Sequence, residues 1–185
     1  MTQFEYLASL ISIVIAFGIS QVLRSWGSLL NNRRRVSTYW VYSAWSVMIV
    51  MFMILFWWEL WQYRTLEQWS FVALVWTIIN AMFIVLAAHI LLPSTAEQRE
   101  IDLESFYYQS APLFFGLTIA GMISIAVSDI LIDPGQVHWG ETTSRLAWLP
   151  FGMWVMVSQN RRVHSSVTIV ALVLYAAFFV AISLK

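Results

Sequence analysis

The sequence predicts an all-α integral membrane protein, a six-transmembrane-helix bundle forming a single transmembrane domain over residues 1–185. Three observations predict it. Sixty per cent of the residues are hydrophobic and 11% charged, against roughly 25% charged in an ordinary soluble domain. Six apolar stretches approach the length of about 20 residues that a helix needs to cross about 30 Å of hydrocarbon. The connections between them are too short to hold a soluble domain.

The first span is read as Phe4–Leu30. It follows Met1-Thr2-Gln3 without a basic segment and exceeds a signal-peptide core in length, so it is expected to stay in the membrane uncleaved. The second and third are Ser37–Trp61 and Trp69–Leu92, the latter stopped by Pro93. A polar connection, Ser94–Glu104, reads as a short surface helix opened by Ser94 or Thr95. The fourth span is Ser110–Leu131 and the sixth Val163–Leu184. The fifth, Thr142–Asn160, is the weakest: its apolar core is brief, and Pro150 and Gly152 interrupt it, so it is expected to cross as a short or kinked span.

Basic residues orient the bundle. Arg24, Arg33, Arg34, Arg35, Arg99, Arg161 and Arg162 fall on one side, and Arg64, Arg145 and Lys185 on the other. The arginine-rich side is expected to be cytoplasmic and to meet anionic lipid headgroups, with both termini on the non-cytoplasmic side. Aromatic residues at predicted span ends read as interfacial belts: Trp57, Trp58, Trp61, Trp69 and Trp148 outside, and Trp26, Tyr39, Trp40, Tyr42, Tyr107 and Tyr108 inside.

Composition excludes several functions. Ten acids balance ten bases, so no basic face for nucleic acid is expected. Without cysteine there is no disulfide, thiolate nucleophile or iron–sulfur cluster. No metalloprotease, serine-hydrolase or phosphate-loop motif occurs, so no enzymatic role is expected. The span centres hold no carboxylate for a proton pump and no arginine ladder for a voltage sensor.

The polar groups expected at depth are uncharged: Thr77 and Asn80 in the third span, Thr118 in the fourth and Tyr175 in the sixth. An unpaired amide in hydrocarbon costs several kcal/mol, so Asn80 needs a partner. These four residues are candidates for interhelical hydrogen bonds or for a polar pathway lining. Glu5, Glu59 and Asp129 would form an acidic outer mouth. His89 and His164, both near the inner side, are a candidate axial pair for haem; no other cofactor is expected. Asp133, His138 and Glu141 in an outer loop are a weaker metal-ligand set.

Small residues recur every fourth position: Ala8, Ser12, Ala16 and Ser20 in the first span, and Gly116, Ala120, Ser124 and Ser128 in the fourth. Such rows let helices approach closely. The two spans run in opposite directions, so the rows are expected to meet as Ala8–Ser128, Ser12–Ser124, Ala16–Ala120 and Ser20–Gly116. The same alignment makes the halves readable as a 3+3 inverted repeat. The leading expectation is an oligomeric channel or facilitator for an ion or small neutral solute, working as a homo-oligomer in the bilayer. A non-catalytic subunit of a larger membrane complex and a haem-bearing electron carrier are the alternatives.

Overall fold

The computed structural model describes residues 2–66, 69–93, 100–132 and 139–183. Among the described residues, seven α-helices make the bundle: α1 (Gln3–Asn31), α2 (Trp40–Glu59), α3 (Phe71–Ile90), α4 (Leu103–Ile132), α5 (Trp139–Leu146), α6 (Leu149–Val157) and α7 (Arg161–Ser183). Five are long and apolar enough to cross a membrane, α2 being counted with the 3₁₀ turn Leu60–Thr65 that extends it. The protein is an integral, multi-pass membrane protein. Of the two ends of the bundle, we call the one where α1 begins distal and the one carrying Arg33–Arg35 the arginine end.

Local chemistry sets the helix starts. Thr2 and Glu5 form a reciprocal capping box on α1: the Thr2 hydroxyl accepts from Glu5 N, and the Glu5 carboxylate accepts from Thr2 N. Ser70 caps α3 by accepting from Ala73 N. The α4 helix begins two turns earlier than the apolar count suggests, because the Asp102 carboxylate accepts from the Glu104 and Ser105 amides. The expected surface helix over Ser94–Glu104 is therefore not found in its described part. Instead Ile101–Asp102 (β2) pairs in parallel with Val36–Ser37 (β1), and Leu103 already opens α4. Residues 94–99 lie outside the described residues.

The fifth span is two short helices, neither long enough alone to cross a membrane. The α5–α6 segment runs antiparallel to α4 along its length. Arg145 meets Asp129, Gly152 abuts Ile119 and Gly116 faces Met156; just past the end of α6, His164 meets Tyr107. From Tyr107 to Asp129 is about 33 Å at the α-helical rise, the thickness of a hydrocarbon core. The break falls at Ala147–Trp148 because Pro150 has no N–H to offer Leu146, and its ring opposes the carbonyl four residues back.

The small-residue rows do not meet. The α1 helix packs along α2 and α3, and α3 packs extensively along both α1 and α4, so α1 does not pack along α4. The expected pairs, Ala16–Ala120 among them, are not formed. The buried face of α1 is Leu7, Ile11, Ile15, Gly18 and Val22, while Ala16 and Ser20 point out of the bundle and Ala8 and Ser12 are half-buried. Bulk and apolarity, more than smallness, chose the packing face. Within an inverted repeat, the counterpart of the single helix α2 would be the α5–α6 pair, so the halves also differ in build.

The close approach that does exist is at Gly18. A Cβ there would stand 2.8 Å from Val85 Cγ2 and 3.0 Å from Met53 Cε. Val85 is β-branched and stiff, so it cannot swing aside. Gly18→Ala is expected to destabilise the bundle by about 1–3 kcal/mol through overpacking. Ala16→Leu, on the outward face two residues away, should change stability by less than about 0.5 kcal/mol. Thermal unfolding of both variants in detergent checks this, and the reverse order would restore the sequence-based seam.

Several expected belt aromatics are interior. Tyr39, Tyr42, Tyr107 and Trp69 are buried. At the arginine end, Tyr39, Tyr107, Tyr108 and His164 pack ring against ring. The Tyr39 and Tyr108 hydroxyls bond at 3.1 Å, and Arg161 lies over the Tyr39 ring. Burial, then that hydrogen bond, raises the Tyr39 pKa well above the ordinary phenol value, so it stays neutral. Trp57, Trp58 and Trp61 are exposed at the distal end, as an interfacial belt requires.

Candidate functional site: a polar cavity under an ion triad

Two carboxylates of the distal end, Glu59 and Asp129, converge on Arg145. Helix α5 places Thr142 and Arg145 on one face, one turn apart, against the last turn of α4. Arg145 Nη1 donates to Asp129 Oδ2 at 2.9 Å, and Nη2 lies 3.1 Å from Glu59 Oε2. Asp129 also accepts from the Thr142 hydroxyl on Oδ2 at 3.1 Å and from the Tyr63 hydroxyl on Oδ1 at 3.2 Å. The three charged side chains are 14% (Asp129), 18% (Arg145) and 31% (Glu59) exposed. Two carboxylates oppose one guanidinium in this group.

Beneath the triad lies a cavity of about 20 Å³, roughly the room one water needs. Its polar lining is Glu59, Gln62, Tyr63, Thr77, Asn80, Ser128 and Asp129, with apolar wall from Phe56, Leu60, Ile125 and Ile132. Asn80, fully buried, closes the deep side. Its Nδ2 donates to Ser128 Oγ at 3.0 Å, and its Oδ1 accepts from Ser124 Oγ. The Thr77 hydroxyl donates back to Ala73 O. Below Asn80 the α3–α4 contact is apolar, with Phe83 against Gly121 and Ile84, Ala87, Phe114 and Phe115 buried. The cavity is therefore blind within one chain.

The sequence-based candidates divide accordingly. Thr77 and Asn80 line the cavity, and Ser124 and Ser128, read from sequence as packing residues, are the hydrogen-bond partners of Asn80. Thr118 bonds only to Phe114 O and is not in the lining. Tyr175 lies on α7 and is not in the lining. Of the expected acidic mouth, Glu59 and Asp129 are drawn together by Arg145, whereas Glu5 serves the α1 cap.

The His89–His164 pair is not formed. His164 is wholly buried between Tyr107 and Ser158. The Ser158 carbonyl can only accept, so Nε2 carries the hydrogen, and Nδ1 accepts from the Tyr107 hydroxyl. Neither nitrogen is left for iron. His89 sits on α3, exposed, with Nδ1 bonded to Gln21 at 3.0 Å. Asp133 and His138 lie outside the described residues, as does the side chain of Glu141.

Comparison with known proteins assigns no family. No family model, no curated protein and no solved structure matches the chain. The site must therefore be read from its own chemistry. Arg145, Tyr63 and Thr142 are the site residues that sequence reasoning missed. The signal available was weak: an arginine one turn after a threonine, on a short polar segment at the same end as two isolated carboxylates.

Proposed function

We propose that the protein is a small membrane transport protein, a channel or facilitator that admits a small cation or polar solute from the distal side. The observation that carries this reading is the polar cavity between α2, α3 and α4, headed by two carboxylates and floored by Asn80 at depth in the bundle. Polar surface in hydrocarbon is costly, and a blind hydrophobic seal would have been simpler for packing alone. The two carboxylates at the mouth favour cations over anions. By the positive-inside rule the arginine end faces the cytoplasm and the distal end faces out, so both termini are non-cytoplasmic. Because the cavity is blind in one chain, passage through the membrane needs a second copy or a rearrangement of α5–α6 against α4, which supports a homo-oligomer.

Reconstitution in liposomes tests this. The wild-type protein is expected to pass small cations or neutral solutes, and Asn80→Leu to lower that flux at least tenfold while the protein still folds and assembles. Flux unchanged in Asn80→Leu would remove the cavity from the pathway. The blind floor also favours a second reading, a non-conducting subunit of a larger membrane complex. Absence of flux, together with co-purification at fixed stoichiometry with larger subunits, would select it.

A further inference from the structure

We infer that the arginine end is a docking surface for an anionic phospholipid, whose phosphate Arg24 takes at the edge of the hydrocarbon while Arg33–Arg35 hold the remaining headgroup charge. The inference stands apart from the transport reading and needs only that the bundle cross a membrane. Two helices fix the depth of Arg24. On α1, Phe4 packs against the belt residue Trp61 at the distal end, and from Phe4 to Arg24 is about 30 Å at the helical rise, the thickness of the hydrocarbon. On α3, which ends at Ile90, His89 bonds to Gln21 at 3.0 Å, one turn before Arg24 on α1. The α1 helix then runs on for about 10 Å past Arg24, through exposed Leu30, and hands over to the turn Arg33–Arg35. The two tiers of arginine therefore bracket a headgroup layer, which is about 5–8 Å deep in each leaflet.

The charge of these tiers is not answered from within the chain. Arg24, Arg33, Arg34 and Arg35 are exposed, and their guanidiniums have no partner among the described residues. Of the carboxylates described at this end, Asp102 accepts from two α4 amides, Glu104 pairs with Arg161, and Glu100 is exposed. With Arg161 and Arg162 counted, the bases described here exceed the acids by three, and residues 94–99 add one acid and one base to the sequence. A guanidinium at the hydrocarbon edge stays charged and needs an anion. The anions native to that depth are lipid phosphates, which separates a lipid from a soluble partner. Exposed Leu30 and Trp40 flank the triplet in sequence and offer apolar surface to the glycerol and upper acyl chain. A zwitterionic lipid would bring an ammonium against three adjacent guanidiniums, so the headgroup that fits is anionic.

Lipid binding to the purified, delipidated protein in neutral detergent tests this without requiring flux. Phosphatidylglycerol and phosphatidylcholine are titrated in parallel and bound lipid is counted by native mass spectrometry, with inorganic phosphate and polyglutamate as soluble anions. Wild type is expected to bind phosphatidylglycerol saturably and at least tenfold more tightly than phosphatidylcholine, and to ignore both soluble anions. Replacing Arg33, Arg34 and Arg35 together by Gln should abolish the preference. Arg24→Gln should weaken both lipids about fivefold, the worth of one basic residue at a membrane surface, because the phosphate it takes is common to them. Arg64→Gln, at the distal end, should change neither. Should the triple variant fail to fold, the three single variants replace it, each lowering the preference about fivefold. Equal binding of the two lipids by wild type would overturn the proposal, as would a preference that survives loss of the triplet or falls as far in Arg64→Gln. Polyglutamate binding as tight as that of phosphatidylglycerol would also overturn it, and would make the patch a surface for an acidic protein segment.

Discussion

Arg145→Ala is expected to destabilise the protein by about 3–5 kcal/mol, the loss typical when one partner of a buried ion pair is removed and the other is stranded. Asp129 and Glu59 would then face each other across the emptied space, both largely withdrawn from water. Asp129 would keep its bonds from Tyr63 and Thr142, whereas Glu59 would lose its ion pair with Arg145. Asp129→Asn should cost less, since Glu59 still pairs with Arg145 and the amide oxygen still accepts. The double variant Arg145→Ala/Asp129→Asn should be more stable than the sum of the two single losses, because the repulsion that dominates the first is gone. Thermal or denaturant unfolding in detergent of the four proteins gives this cycle directly. Additive losses would show that the triad is not a coupled unit.

His164→Leu is expected to cost about 2–4 kcal/mol despite conserving bulk. It strands the Tyr107 hydroxyl and the Ser158 carbonyl, and each buried unsatisfied group costs about 1–3 kcal/mol. Tyr107, in the second turn of α4, and Ser158, just past α6, both meet the start of α7, where His164 has no exposed surface and its ring packs edge-to-face with Tyr107 and Tyr108. Adding Tyr107→Phe to His164→Leu should recover part of the loss, since the stranded hydroxyl disappears with it. Unfolding of the two single variants and the double tests this. No recovery would mean that the ring stacking, rather than the hydrogen bonds, holds the cluster.

What the sequence shows about this protein follows from where the physics is local. Span positions are legible because about 20 apolar residues are a sufficient condition for crossing, and the helix ends follow from nearby caps such as Thr2–Glu5 and Ser70. The break of the fifth span is legible at Pro150 for the same reason. Helix neighbours are not local. Rows of small residues on α1 and α4 satisfy the rule for close packing equally well whether or not the helices meet, and α3 came between them. Gly18, which no row contains, is where α1, α2 and α3 converge.

The site divides along the same line. Asn80 announces itself, since a midspan amide must be satisfied, but its partners cannot be read until α3 and α4 are set side by side. Ser124 and Ser128 carry no sign in the sequence that they serve an amide rather than a packing row. Arg145 is harder still. On a short polar segment it reads as an ordinary interfacial charge, and only the fold of α5 against α4 brings it to Asp129. His164 illustrates the reverse error: a histidine at a span end invites a ligand role, yet a tyrosine and a backbone carbonyl use both its nitrogens.

All of this depends on the chain crossing the membrane between Arg145 and Arg161, since only then does α5 reach the distal end while α7 starts at the arginine end. The protein has no cysteine, so single cysteines can be read without background. Thr143→Cys and Arg162→Cys, both at exposed positions, can be labelled with a membrane-impermeant thiol reagent in sealed vesicles of one orientation. Labelling is expected at one position from outside and at the other only after the vesicles are opened. Labelling of both from the same side would mean that α5 and α6 turn back within the membrane, and the cavity under Arg145 would lose its place.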